Sequence, residues 1–170
     1  VSAPPGSVYR PQLPAPTTTG CADLGIRLIE LILQALAPVL PDEVMAGTFG
    51  TVSALALGGV DPSTGKEFIH FSPYAGGWGG RAYADGNSGQ VSLLSGDNYN
   101  IPCEVMETRF PGLLAMSYCL RNRSGGAGKY RGGFGIAYDY RSVVPVELTV
   151  ALDHYKFPPQ GVSGGQCGEG

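Results

Sequence analysis

The segment DLGIRLIELILQALA, residues 23–37, sets the architecture. From Leu24 onward it is apolar except for Arg27, Glu30 and Gln34, which fall at i, i+3 and i+7 on one narrow stripe, the spacing of an α-helix. So thin a polar stripe predicts a helix that is mostly buried. Pro38 predicts its end, because proline has no amide hydrogen to continue the ladder and disfavours helical geometry at Ala37. Working outward, residues 1–20 carry Pro4, Pro5, Pro11, Pro14 and Pro16 and predict an extended, polyproline-like arm. Beyond the helix, six segments of β character lie between turn signals: Met45–Leu57, Glu67–Pro73, Cys103–Phe110, Leu113–Arg121, Gly135–Val144 and Val146–His154. Asp61 to Lys66 and Phe110-Pro111-Gly112 predict turns between them. The expectation is α+β: a buried helix near the N-terminus packed on mainly antiparallel strands over residues 45–154, with long Gly-rich loops and a Gly/Pro-rich tail over 155–170. No repeat and no linker divides residues 1–170, which read as a single, partial domain.

Composition narrows the function classes. With 43% hydrophobic residues in 170, the chain can bury a core, and its 27 glycines follow no collagen period. Only 15% of residues are charged, a value that predicts surface hidden against a partner. A net charge of −3 excludes the footprint of a nucleic-acid or anionic-membrane binder. Leu28–Leu40 is broken by Glu30, Gln34 and Pro38 and is too short to span a bilayer, and VSAPPGSVYRPQLPAP at the start is no signal peptide. The missing initiator Met and the abrupt GGQCGEG end read as a piece of a longer protein. Cys21, Cys103, Cys119 and Cys167 form no C-x-x-C pair, so reduced thiols in the cytoplasm are expected.

Four glycine-rich segments stand out: AGGWGGR at 75–81, SGGAGKYRGGFG at 124–135, GVSGG at 161–165 and the terminal GQCGEG. Such backbone either cradles anions or packs tightly on another chain, and the sequence leaves both open. RSGGAGKY, 123–130, fails as an ATP-binding P-loop because Arg123 and Tyr130 stand where Gly and Ser or Thr are needed. Gly161-Val162-Ser163-Gly164-Gly165 has the letters of a nucleophile elbow without the strand before it or the helix after it. No dinucleotide-binding glycine spacing survives. His70 and His154, the only histidines, are 84 positions apart and form no metal-ligand pair. Asp153-His154 reads as a strand end with one side chain in and one out. Glu104 and Glu107, read as strand residues, would face opposite sides. The basic stretch Arg121, Arg123, Lys129 and Arg131 suits either an anion or an acidic patch on a neighbouring subunit.

Taken in order, PPGS, PAP, a helix, GGWGGRAYADG, N-I-P-C-E-x-x-E, Y-C-L-R, SGGAGKYRGG and KFPPQGVSGG resemble the later part of the hydantoinase B family over nearly the whole chain. The resemblance implies a piece of a B-type subunit of an ATP-dependent cyclic-amide hydrolase acting on hydantoin, 5-oxoproline or a lactam. Alternatives are a piece of an acetone/acetophenone-type carboxylase and a non-catalytic assembly module. The partners it implies are a hydantoinase A-type ATP-binding subunit, the rest of the B-type subunit and a small-molecule substrate. No cofactor or metal is expected on this chain; ATP and a divalent metal are expected elsewhere in the complex, because the family's metal-binding His and Asp lie in an earlier part of the subunit. The catalytic residues stay unknown, and the chain is expected to be inactive alone. Candidates for substrate or anion binding are Arg81, Asp85, Glu104, Glu107, Arg123, Lys129 and Arg131, with Gly76, Gly77, Gly79, Gly80, Gly125, Gly126, Gly128, Gly132 and Gly133 as the loops that shape the site. Arg123 replaces the family's usual Asp before SGG, and Gln160 replaces the Trp of KFPPWG.

Overall fold

In a computed structural model, the structure describes residues 2–16, 20–95 and 99–170. The fold is α+β, with two helices among the described residues, α1 (Gly20–Leu36) and α2 (Cys103–Arg109), and five strands. These are β1 (Ala54–Val60), β2 (Glu67–Pro73), β3 (Leu113–Leu120), β4 (Ile136–Ser142) and β5 (Val146–Ala151). One antiparallel sheet runs in the order β2-β1-β5, and β3 pairs antiparallel with β4 in a two-stranded ribbon. The Asp61–Lys66 turn closes the β1–β2 hairpin, with the Asp61 carboxylate accepting from the Ser63 amide and hydroxyl and the Thr64 hydroxyl. Those bonds favour the charged form, so the Asp61 carboxyl titrates at about 2.

Several expectations from the sequence need correction. The expected strand Cys103–Phe110 is instead a helix, Cys103–Arg109, that follows Pro102 and carries Glu104 in its first turn and Arg109 in its last. Cys103, Met106 and Phe110 repeat at helical spacing, Met106 is buried, and Pro111 blocks continuation. Helical geometry puts Glu104 and Glu107 one turn apart on neighbouring positions, not on opposite faces. The second correction is Met45–Leu57, where β1 begins only at Ala54. The nine residues before it run through Gly47 and Gly50 and bond to other loops instead of joining a ladder.

The core gathers Leu57, Met106 and Leu113, with Leu55, Phe68, Phe110, Tyr140 and Val146 packed around them. His70 on β2 joins sheet to ribbon: its Nε2 lies 3.1 Å from the Tyr140 hydroxyl, and its ring is 4.8 Å from that of Phe110. Burial pushes the His70 imidazole below its ordinary 6.5 and pushes the Tyr140 phenol up. For a base held neutral by burial, the unfolded chain takes up the proton first. Stability is therefore intact above about pH 6.5 and is lost as pH falls through the depressed folded value. The expected result is that His70→Gln flattens this part of the stability profile in urea titrations between pH 7 and 5. Parallel wild-type and variant profiles would remove His70 as the cause.

Burial of α1 within the chain is one-sided. Ile26 and Glu30 are buried, whereas Leu31, Ile32 and Leu36 are exposed. The Glu30 carboxylate accepts from the Thr48 amide (2.8 Å) and hydroxyl (2.6 Å), and Asp23 accepts from the Thr51 hydroxyl at 2.8 Å. The polar stripe of the helix thus turns inward, onto the segment before β1.

Candidate functional site

The glycine-rich segments lie against one another. Phe49 N–H donates to the Gly77 carbonyl (3.0 Å), Ala46 to Gly80 (2.9 Å), Gly133 to Trp78 (2.8 Å), Gly132 to Gly126 (2.9 Å) and Gln166 to Ala127 (2.8 Å). A side chain has no room between such backbones: a Cβ on Gly133 would overlap the Asn87 carbonyl, and one on Gly77 would overlap the carbonyl of Gly133. Glycine is thus present for close approach, and its partner is backbone of this same chain.

The packed segments enclose an open cleft of about 570 Å³. Its walls are largely glycine backbone, with Phe49, Tyr74, Trp78 and Tyr130 adding aromatic surface, and Arg121, Asp153, His154 and Glu169 supplying its charged and imidazole groups. The Trp78 indole N–H donates to the Val91 carbonyl (2.8 Å), which fixes the ring. Burial pushes the Tyr74 phenol up to about 12, so it is a neutral hydrogen-bonding group at physiological pH. Arg121 is tied to Glu169 at 3.1 Å.

At one edge of the cleft, Asp153 and His154 both turn to Arg27 of α1. Arg27 Nη2 donates to Asp153 Oδ2 (2.7 Å), and Nη1 meets His154 Nε2 and Glu30 Oε2, the latter at 3.2 Å. The strand-end reading of this pair fails because β5 stops at Ala151 and His154 has φ 63°. The Arg27 guanidinium, through its hydrogen bond, holds the Asp153 carboxyl below its usual range. Gly50 sits against this cluster at φ 56°, where a Cβ would strike the Glu30 carboxylate, His154 Nε2 and Arg27 Nη1.

Eight of the nine glycines expected from the sequence line the cleft, Gly128 being the exception, and none of the seven charged candidates does. Asp85 and Arg131 come together: the carboxylate lies 3.3 Å from Nε of Arg131 and accepts its amide at 3.0 Å, while the guanidinium stacks 4.3 Å from the Phe134 ring. Glu107 accepts the Ala115 amide at 2.9 Å, where β3 begins. Glu104, Arg123 and Lys129 are exposed, and the Arg81 amide closes a turn onto Ala84 (2.9 Å). Among the described residues, no three His, Cys, Asp or Glu side chains converge as a metal ion needs, and no helix is long and apolar enough to cross a membrane. Cys103, Cys119 and Cys167 are free thiols; the Cys21 side chain lies outside the described residues. The cleft's aromatic residues were missed, and the Asp153-His154 pair was read as a strand end; no local signal names its partner, because Arg27 and Asp153 are 126 positions apart.

A sequence model described as hydantoinase B/oxoprolinase matches residues 1–170. The chain belongs to that family. The chain is similar to an uncharacterized protein of Methanocaldococcus jannaschii, 34% identical over 99% of this chain and 29% of its own length. The B-type subunit of a putative D-/L-hydantoinase from a Pseudomonas species is 31% identical over 99% of this chain and 27% of its own length. A 5-oxoprolinase of Pestalotiopsis fici is 29% identical and matched over 13% of its length. The chain therefore spans under a third of each of these relatives. Among solved structures, nucleotide-free acetone carboxylase superposes with a TM-score of 0.55 and 26% identity, covering 70% of this chain and 16% of that one. The order of glycine motifs that suggested hydantoinase B is thus shown at the level of family.

Proposed function

We propose that this chain is part of a B-type subunit of an ATP-dependent cyclic-amide hydrolase, in which its glycine-walled cleft lines the path of a small ring-amide substrate. The observation that carries the reading is the cleft itself. Its volume of about 570 Å³ falls in the range of small-molecule sites, and its walls combine apolar and aromatic surface with few polar groups. The similarity to a putative hydantoinase and to 5-oxoprolinases supplies the substrate class. In this reading an A-type subunit supplies ATP chemistry and the rest of the B-type subunit supplies the divalent metal, while this chain shapes and orients. The Asp85–Arg131 pair and the exposed Arg123 and Lys129, which lie outside the cleft lining, are then charged groups open to the A-type partner or to an anionic group.

A second reading, a subunit piece of an ATP-dependent ketone carboxylase, is favoured by the likeness to acetone carboxylase. The complete B-type subunit with its A-type partner, given ATP and either hydantoin or 5-oxoproline, or a ketone with bicarbonate, separates the two. Ala127 is exposed on the cleft wall, and Ala127→Trp fills the space beside it. The variant is expected to lower kcat/KM for the ring amide by about tenfold or more with nucleotide binding unchanged. Unaltered turnover with Trp in place would discard the cleft as the substrate path.

A further inference from the structure

The outward side of α1 is the largest feature left without a role. Helical geometry divides the element cleanly: Asp23, Arg27, Glu30 and Gln34 lie on the side that Thr48, Thr51 and Asp153 engage. The side turned away from it presents Leu28, Ile32, Ala35 and Leu36, of which Ile32, Ala35 and Leu36 are exposed and Leu28 is half-buried, and it carries no charge. Leu31 is 53% exposed, Ile32 43% and Leu36 40%, and the turn after the helix adds Val39 at 75%. Water-soluble helices place their apolar stripe against the core and their charges outward, so this helix is inverted with respect to its own chain. Leu28, Ile32, Ala35 and Leu36 recur at i, i+4, i+7 and i+8, the ridge one helix offers to another packed surface.

We infer that α1 is a central helix shared between two bodies, clamped to this chain by its polar stripe and buried on its apolar side by an uncharged surface of the remaining B-type subunit. The inference rests on the B-type reading above and names the surface through which that subunit is completed. The occupant follows from three observations. The exposed ridge has no charge to complement, which excludes a charged docking partner. It is a face too apolar to stay in water. The chain matches only 29% of its archaeal relative's length and 27% of its B-type relative's, so ample protein of the same subunit lies outside the match to cover it.

The test uses Ala35→Cys, an exposed position on this ridge, with labelling by a thiol reagent mapped by mass spectrometry so that Cys119 and Cys167 serve as references. In the 170-residue chain the introduced thiol labels quickly. In the complete B-type subunit it is protected at least ~100-fold. A second pair of measurements uses Ile32→Lys with Leu36→Lys. These charges raise the soluble yield of the chain alone and lower that of the complete subunit, a reversal of sign. Equal labelling in both forms overturns the inference. So does self-association of the chain that the double variant abolishes while the complete subunit is unaffected, because a second copy is then the occupant. Labelling does not depend on turnover, so protection in a subunit that hydrolyses no ring amide would refute the proposed substrate and leave this interface standing.

Discussion

Gly133→Ala is expected to leave no cooperatively folded protein. The methyl group would stand on the Asn87 carbonyl oxygen, an obstacle of backbone that no rotamer change can move aside. Relief would have to separate the 130–135 segment from 86–90, and the bonds from Gly133 to Trp78 and from Gly89 to Phe134 (3.0 Å) would go with it. Overpacking usually costs about 1–3 kcal/mol where side chains can yield. Here none can, so the loss exceeds ~4 kcal/mol, a large share of the stability of an ordinary domain. Gly58→Ala is the control. Nothing lies within 4 Å of a Cβ there, the residue sits within β1, and the substitution should stabilise by about 0.5 kcal/mol through the unfolded chain. Urea unfolding of the two variants side by side decides it: a Gly133→Ala protein unfolding within about 1 kcal/mol of wild type, the low end of ordinary overpacking, would mean that the glycine layer is looser than its geometry.

The second large effect belongs to Glu30→Ala. Glu30 is 6% exposed, and its two oxygens hold the Thr48 amide, the Thr48 hydroxyl and Arg27, which continues to Asp153. Truncation leaves a buried amide without an acceptor and a guanidinium with two of its three partners. Breaking a buried pair from one side costs about 3–5 kcal/mol, far more than the surface ion pairs of the chain are worth. Glu30→Gln keeps the acceptor for Thr48 and should lose only about 1–2 kcal/mol, the charge-assisted part. The order Ala much worse than Gln, read from unfolding midpoints, is the signature of the network. Equal losses would show that packing, not hydrogen bonding, holds α1 in place.

Much of the fold was legible locally. β2 occupies the segment expected for it, Glu67–Pro73, because alternating residues between two turn signals leave little choice. α1 stops two residues before Pro38 for the reason proline stops any helix. Cys103–Arg109 reads as a strand because seven residues suit a strand or two helical turns, and the one local helix signal is Pro102 at its start. Candidate site residues were legible by type and not by partner. Gly77 and Gly133 announce close approach, yet nothing near either names the carbonyl it meets; Arg131 reads as a free cation until Asp85, 46 positions away, is seen to hold it.

By itself, the order of residues determined where α1 and most of the strands form, where backbone has to come close to backbone, and the family to which the chain belongs. Those properties depend on periodicity, turn chemistry and short motifs that act within a few positions. Only the tertiary structure decided which glycine segments face each other and that aromatic rings border the space between them. It also decided that α1 turns its charges inward. Such choices are made by hydrogen bonds between residues as far apart as Arg27 and Asp153, whose pairing lowers the free energy only once the whole chain has closed around them.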